Sequence, residues 1–198
     1  MSFSSMHRKR ALVALAGTAA IALAITGCTT PGGDTGQSLV IGTTDKVTAL
    51  DPAGSYDNGS LTVQTQVFAL LLNSVPGSAD VVPDLAASAD FTSDIDYTVT
   101  LKPGLKWANV NDLTASDVKF SFDRQLAIAD ENGPSVLLYN LDSTEAVDDT
   151  TVVFHLKAPN DQIFPQILTS QAGIIVDEES FSADAVTPDE DIVKANAF

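Results

Sequence analysis

This chain contains one cysteine, Cys28, so no disulfide can form within it. Its fold must therefore rest on a hydrophobic core and not on covalent cross-links. The stretch from residue 28 to residue 198 is long enough to form one such core. We accordingly looked for the apolar patterns that would build a single domain after the cysteine.

The position of Cys28 indicates an export signal. Residues 8–10 are basic, residues 11–25 are apolar or small, and Thr26 and Gly27 come directly before the cysteine. An apolar helix of that length spans roughly 22 Å, short of the roughly 30 Å hydrocarbon core, so cleavage is expected instead of a permanent span. The sequence ITGC at residues 25–28 resembles the bacterial lipobox. We predict a signal peptide at residues 1–27 and lipid modification of Cys28, with a free thiol or an intermolecular disulfide as the alternative.

The residues after Cys28 have the composition of a flexible tether. Residues 29–38 are Thr, Pro, Gly, Asp, Gln and Ser, with no aliphatic side chain. Such a segment cannot bury enough apolar surface to stay ordered. We therefore expect residues 28–38 to connect a lipid anchor to the domain, which would be held at the extracytoplasmic face of the cell membrane.

The charge of the chain excludes a nucleic-acid-binding protein. The first 27 residues hold three of the ten Lys and Arg residues and none of the 26 Asp and Glu residues. After cleavage the chain would be strongly acidic, with its few basic residues scattered. A phosphate-backbone binder needs clustered Lys and Arg side chains to displace counterions. We expect no nucleic-acid partner, and the acidity is typical of a soluble surface protein.

Hydrophobic periodicity predicts alternating strands and helices. The predicted strands are at residues 39–43, 97–102 and 173–176, with a hairpin at 143–157, and the predicted helices are at 61–72, 115–129 and 163–168. The helix at 115–129 has the clearest start, because Thr114 and Asp117 have the spacing of a capping box. The first strand, with consecutive apolar residues, is expected to be buried on both faces.

The chain lacks the groups that hydrolytic or metal chemistry requires. His7 lies in the predicted signal peptide, and His155 lies within a predicted strand, where an ordinary structural role is favoured. There is no Gly-x-Ser-x-Gly or His-Glu-x-x-His motif. The acidic runs at residues 148–149 and 189–191 do not have the spacing of a calcium loop, and are interpreted as a turn and a solvated charge run. We therefore predict no enzyme activity, no metal and no cofactor.

Several motifs between residues 50 and 176 resemble one family. They are PDLA at residues 83–86, YTVTLKPGLKW at 97–107 and LTASDVKFSFDR at 113–124, with LDP at 50–52, DDTTVVFHLK at 148–157 and AGIIV at 172–176. This succession resembles the family 5 solute-binding proteins of ABC transporters, the dipeptide, oligopeptide and nickel group. The resemblance covers residues 39 to about 180.

The resemblance implies an α/β fold of the type II periplasmic-binding-protein class, with a mixed sheet and flanking helices. Members of this family have two lobes and are more than twice this length, so residues 39–198 are expected to be an incomplete domain, part of the first lobe without the second. Peptides are held in this family largely through their main-chain groups. The acidic residue that pairs with the ligand's amino terminus is expected in the second lobe.

The resemblance also suggests ligand-binding positions. The loop at residues 51–58 would face the cleft, with Tyr56 and Asn58 as the nearest candidates, and Tyr139 is a further candidate. A plain turn and helix cap at residues 56–58 is the alternative interpretation. Trp107 is expected to cover the core, with a pocket wall as its alternative.

The expected function is that of a substrate-binding lipoprotein of an ABC importer. It would capture peptide-like solutes and deliver them to the permease and ATPase subunits. A surface lipoprotein that acts as a sensor or scaffold without transport is the runner-up, and an enzyme is the third possibility. The sequence does not name the solute.

Overall fold

Four segments between residues 86 and 156 form an antiparallel sheet in the computed structural model, which describes residues 40–196. Its strands are β4 (Ala86–Phe91), β5 (Asp96–Leu101), β6 (Leu141–Ala146) and β7 (Thr151–Leu156), in the order β4-β5-β7-β6. Val99 lies opposite Val152, and both side chains are fully buried. The predicted strand at 97–102 and the predicted hairpin at 143–157 are therefore confirmed.

One helix covers the buried face of this sheet. Helix α2 (Ala115–Ile128) places Val118 and Phe122 in the core, and the ring of Phe122 meets that of Phe154 edge to face at 4.8 Å. Its N-terminus has the predicted capping box: Ser116 N donates to Thr114 Oγ1, and Thr114 N donates to Asp117 Oδ2. The predicted helix at 115–129 and its capping box are therefore confirmed. Both predictions relied on residues that lie close together in the sequence.

The first helix is shorter than predicted and begins earlier. Helix α1 runs over Asn58–Val67, whereas the apolar spacing predicted 61–72. Asp57 fixes its start by accepting a hydrogen bond from Ser60 N at 2.8 Å. Its end comes at Phe68, which takes an extended conformation before two short strands, β1 (Ala69–Leu70) and β2 (Leu72–Ser74). The prediction of helix at 68–72 was wrong because strand pairing outweighed local periodicity.

The remaining elements are short. Strand β1 pairs with β8 (Ile174–Ile175), and β2 pairs with β3 (Val81–Pro83). Helix α3 (Phe164–Ile167) confirms the short helix predicted at 163–168, and β8 confirms the strand predicted at 173–176. Three 3-10 turns connect these elements, at Pro52–Gly54, Pro134–Leu138 and Gln171–Gly173.

The strand predicted at residues 39–43 is wrong for its described part. Residues 40–42 belong to a different compact unit from residues 43–196. Val40 and Ile41 are exposed, and residues 40–43 form no strand. A run of apolar residues favours a buried strand, but a strand forms only where a partner pairs with its backbone groups.

The acidic run at 189–191 is exposed to solvent, as interpreted, and lies in a helix that was not predicted. It forms the first turn of α4 (Asp189–Ala195), and Lys194 lies in the last turn. Acidic groups at the start and a basic group at the end are favourable to the helix dipole. The other acidic run lies in the β6–β7 turn as predicted, where Asp148 accepts hydrogen bonds from the backbone of Thr150 and Thr151.

Two further findings bear on the predictions. Trp107 is only 4% exposed and lies in the main core, which confirms the core interpretation. Within residues 40–196, no helix is long and apolar enough to cross a bilayer. The predicted signal peptide at 1–27, the lipidated Cys28 and the tether at 28–38 lie outside the described residues.

Candidate functional site

The loop at residues 51–58 presents two of the predicted site residues side by side. It begins with the 3-10 turn Pro52–Gly54 and ends where α1 begins. Tyr56 is 52% exposed, and Asn58 is also exposed. Asp57 lies between them and caps the helix. The cap formed by Asp57 confirms the helix-cap interpretation of residues 56–58, and ligand contact by Tyr56 and Asn58 stays a prediction.

Asp57 is held as a carboxylate. Its Oδ1 accepts a hydrogen bond from Ser60 N at 2.8 Å, and its Oδ2 accepts one from Thr48 Oγ1 at 2.5 Å. Burial alone would raise the pKa of Asp57, but the hydrogen bonds from Thr48 and Ser60 outweigh it and lower the pKa. The loop therefore carries a fixed negative charge beside Tyr56.

Tyr56 borders three cavities, and the two larger ones have volumes of about 490 Å³ each. The first cavity lies toward the turn after α2 and includes Glu131, Gly133 and Val136. The second lies toward β2, and polar residues line most of it, although its exposed surface is more apolar than polar. It is lined by Tyr56, Asp57, Asn58, Leu61, Thr65, Leu70, Asn73, Ser74, Thr169, Ser170 and Gln171. Hydroxyl and amide groups of this kind can pair with the N–H and C=O groups of an extended peptide.

A buried polar network fixes the loop directly before Tyr56. Gln64, fully buried on α1, donates from Nε2 to Ser55 Oγ at 2.8 Å. The same nitrogen is within 3.3 Å of the Ala49 carbonyl oxygen, and Gln171 Nε2 donates to Gln64 Oε1 at 2.7 Å. Gln64 was not predicted from the sequence, because hydrophobic periodicity assigns a polar residue on a helix to the solvent-facing side.

Tyr139 lies apart from the other two candidates. It follows the 3-10 turn Pro134–Leu138, is 65% exposed and lines neither of the two cavities. Its carbonyl oxygen accepts a hydrogen bond from Lys157 Nζ at 3.2 Å. The residue of this turn that does share a cavity with Tyr56 is Val136.

His155 has the surroundings of a structural residue. On β7 it contacts Asp96 on β5 at 2.7 Å through Nδ1 and Glu145 on β6 at 3.2 Å through Nε2. The hydrogen bond with Asp96 is the largest effect and raises the pKa of His155; burial opposes it, and the hydrogen bond with Glu145 adds a further, smaller increase. Both ring nitrogens are engaged by carboxylates on neighbouring strands. Within residues 40–196, no group of three His, Cys, Asp or Glu side chains could hold a metal ion.

The sequence model described as bacterial extracellular solute-binding proteins, family 5, middle region, matches residues 80–196, more than half of the chain. This chain belongs to family 5 of the bacterial extracellular solute-binding proteins. The resemblance inferred from the motifs is thereby confirmed. In the solute-binding protein, the matched region begins just before β3 and includes the whole four-stranded sheet and α2.

Curated relatives agree with this assignment. The chain is 36% identical over 126 residues to the probable D,D-dipeptide-binding periplasmic protein DdpA of Escherichia coli K12. It is 35% identical over 128 residues to the glutathione-binding protein GsiB of Pectobacterium atrosepticum. These alignments cover 61% and 62% of this chain but only 24% of each relative. The chain thus spans about a quarter of the length of the curated relatives that it matches.

Solved structures show the same fold. The ABC transporter substrate-binding protein CtaP of Listeria monocytogenes superposes with a TM-score of 0.65 and 32% identity, covering 79% of this chain and 32% of CtaP. DppA of Helicobacter pylori, in complex with the peptide STSA, gives a TM-score of 0.56 and 27% identity over 67% of this chain and 29% of DppA. The expected α/β fold of the type II periplasmic-binding-protein class is confirmed.

Proposed function

We propose that this solute-binding protein is the substrate-binding component of an ABC importer for peptide-like solutes. The observation that carries the proposal is the family match at residues 80–196, together with the cavity beside Tyr56 and Asn58, which offers both apolar surface and polar side chains. DdpA and GsiB are named for dipeptide and glutathione binding, and DppA was solved with a tetrapeptide. The proposed partners are a peptide or other small solute and the permease and ATPase subunits that receive it.

In this proposal Tyr56 and Asn58 contact the ligand. The Tyr56 ring offers an apolar face to a side chain or peptide plane, and its hydroxyl can form a hydrogen bond. The Asn58 amide can both donate to and accept from a peptide main chain. Tyr139, outside both cavities, would contact the ligand only at its periphery. Because buried hydrogen bonds already fix the loop, little conformational entropy would be lost on binding.

The proposal includes an anchor and a domain order. Residues 1–27 form a signal peptide, Cys28 carries the lipid, residues 28–38 form the tether and the solute-binding domain begins at residue 39. This order would keep the domain at the extracytoplasmic face of the membrane, within reach of the permease. Binding and release of a solute, without any chemical change to it, make up the proposed activity, so the protein would not be an enzyme.

Calorimetry tests the proposal on the protein purified from its own membrane. Dipeptides, tetrapeptides and glutathione are titrated, with a free sugar as the negative control. We expect peptide binding, and we expect Tyr56→Ala to weaken it about tenfold, which corresponds to about 1.4 kcal/mol. Val147→Ala, an exposed apolar residue outside both cavities, is the matched control and is expected to bind normally. Peptide binding that is absent, or unchanged by Tyr56→Ala and Asn58→Ala, would contradict the proposal.

A further inference from the structure

Asp51, the first residue of the loop at residues 51–58, forms a buried ion pair with Arg124 of helix α2. Arg124 Nη1 donates to Asp51 Oδ1 at 2.9 Å, and Nη2 donates to Oδ2 at 2.8 Å. The side chains are 2% and 0% exposed, respectively. This bidentate arrangement fixes both the distance and the orientation of the two groups.

Both members of the pair bind a third segment. Thr187 N donates to Asp51 Oδ2 at 2.6 Å, and Arg124 donates to the carbonyl oxygens of Ser182 and Ala185 at 2.8 and 3.0 Å. Asp51 Oδ1 also accepts a hydrogen bond from Ala53 N, which closes the 3-10 turn. The pair therefore joins the start of the loop, helix α2 and the segment at residues 182–187.

Two aromatic rings lie beside the guanidinium group of the pair. The guanidinium carbon of Arg124 lies 5.4 Å from the ring centroid of Phe181 and 6.0 Å from that of Phe120. A buried ion pair of this kind is often no more stabilising than apolar residues of the same volume, because both charges lose their water. Apolar residues could not form the directed hydrogen bonds by which the pair joins the start of the loop, helix α2 and the segment at residues 182–187.

The same turn is confined by close packing on two sides. A Cβ on Gly54 would lie 2.6 Å from Val186 Cγ1, and a Cβ on Gly133 would lie 2.1 Å from the Ala53 carbonyl oxygen. The Val186 side chain and the backbone at Gly133 therefore approach the turn more closely than a residue larger than glycine at position 54 or 133 would permit. Tyr56 follows two residues after Gly54, so its position depends on the position of this turn.

We propose that Asp51 and Arg124 are positioning residues for the solute site, which hold the loop at residues 51–58 in its binding geometry without touching the ligand. The inference rests on the proposed function, since it assigns a role in that same site. The ion pair fixes the start of the loop, and the hydrogen bond from Gln64 to Ser55 fixes the backbone next to Tyr56. The exposed side chains of Tyr56 and Asn58 are thereby presented from a rigid base.

The test compares two variants that keep the interior filled. Arg124→Lys keeps the charge but cannot form the bidentate pair and the two carbonyl contacts together. The double variant Asp51→Leu with Arg124→Met replaces both charges by apolar groups, so no unpaired charge is buried. Peptide affinity is measured by calorimetry and corrected for the folded fraction. Hydrogen exchange is measured at the amides of residues 52–61.

We expect both variants to bind the peptide at least tenfold more weakly per folded molecule, with faster exchange at residues 52–61. Two controls separate position from stability. Leu141→Ala makes a cavity in the sheet and lowers the melting temperature, and Lys119→Met removes an exposed ion pair from the same helix. Both controls are expected to keep the wild-type affinity.

The outcomes distinguish this inference from the proposed function. If the wild-type protein binds no peptide, the proposed function fails. If the wild-type protein binds and either folded variant binds within twofold of it, the positioning role is refuted and the proposed function stands. An equal loss of affinity in Leu141→Ala would also refute the positioning role, because general destabilisation would then explain the result.

Discussion

The N-terminal cap of α2 offers a prediction whose size can be worked out from individual hydrogen bonds. Thr114 Oγ1 accepts one bond, from Ser116 N at 3.2 Å. Asp117 accepts two: Thr114 N donates to Oδ2 at 2.8 Å, and Glu178 N donates to Oδ1 at 3.1 Å. Asp117 is buried, and this burial raises its pKa. Removing the carboxylate therefore leaves two backbone donors, in part-buried positions, without this partner.

These contacts predict an order of stability. Thr114→Ala should cost about 1 kcal/mol, the usual cost of losing a Thr cap. Asp117→Ala should cost about 2–4 kcal/mol, because it leaves two donors unsatisfied and each costs about 1–3 kcal/mol when fully buried and less at these part-buried positions. For a domain of this size, each kcal/mol lowers the melting temperature by about 2–4 °C. The expected decreases are thus about 2–4 °C for Thr114→Ala and about 4–16 °C for Asp117→Ala.

Thermal unfolding followed by circular dichroism measures both values. Thr114→Ser keeps the hydroxyl and is expected to lie near the wild type. Thr62→Ala removes a hydroxyl from an exposed helix surface and is expected to change stability by less than about 0.5 kcal/mol. A loss of stability in Asp117→Ala no larger than that in Thr114→Ala would contradict the roles assigned to these hydrogen bonds. An equal loss of stability in Thr114→Ser and Thr114→Ala would contradict the role of the Thr114 hydroxyl.

Three other predictions concern separate parts of the chain. Mass spectrometry of the membrane fraction should find lipid on Cys28, and Cys28→Ala should leave a precursor or release soluble protein; an unmodified Cys28 in the membrane would contradict the anchor. The raised pKa of His155 means that its stabilising pairing with Asp96 is complete below about pH 6.5 and is lost as the pH rises through the raised value. The melting temperature should therefore drop more in His155→Gln at about pH 5.5 than at about pH 8.5, and an equal drop at both would count against it. Gly133→Ala should cost at least about 1–3 kcal/mol in chemical denaturation, because the new Cβ would collide with the Ala53 carbonyl oxygen; a neutral result would show that the turn can move.

The elements that sequence reasoning predicted well are those whose signals are local. The alternation in β5 and β7 and the cap of α2 each depend on residues within a few positions of one another. Their predicted bounds differ from the observed ones by one or two residues at most of their ends. The helix at 61–72 was predicted less well, because its end is set by pairing of β1 with β8, whose residues lie about a hundred positions later.

The residues that fix the loop of the candidate site could not be predicted from a local sequence pattern. Asp51 and Arg124 are separated by 73 positions, and Gln64 and Gln171 by 107. A polar residue on a predicted helix is normally assigned to the solvent face. In α1 the opposite holds, since Ser60 and Gln64 are buried and Val63 is only partly so. Tyr56 and Asn58 were predicted as site residues from the family resemblance. The buried residues that hold their loop became apparent only from the structure.

A crystal structure of the membrane-purified protein with a bound tetrapeptide tests the central claim most directly. The proposed function predicts that the peptide main chain lies within hydrogen-bonding distance of the Asn58 amide and against the ring of Tyr56. It also predicts that the Asp51–Arg124 pair is unchanged beneath the loop. A peptide bound elsewhere, with Tyr56 and Asn58 still facing solvent, would contradict the assignment of this loop as the solute site.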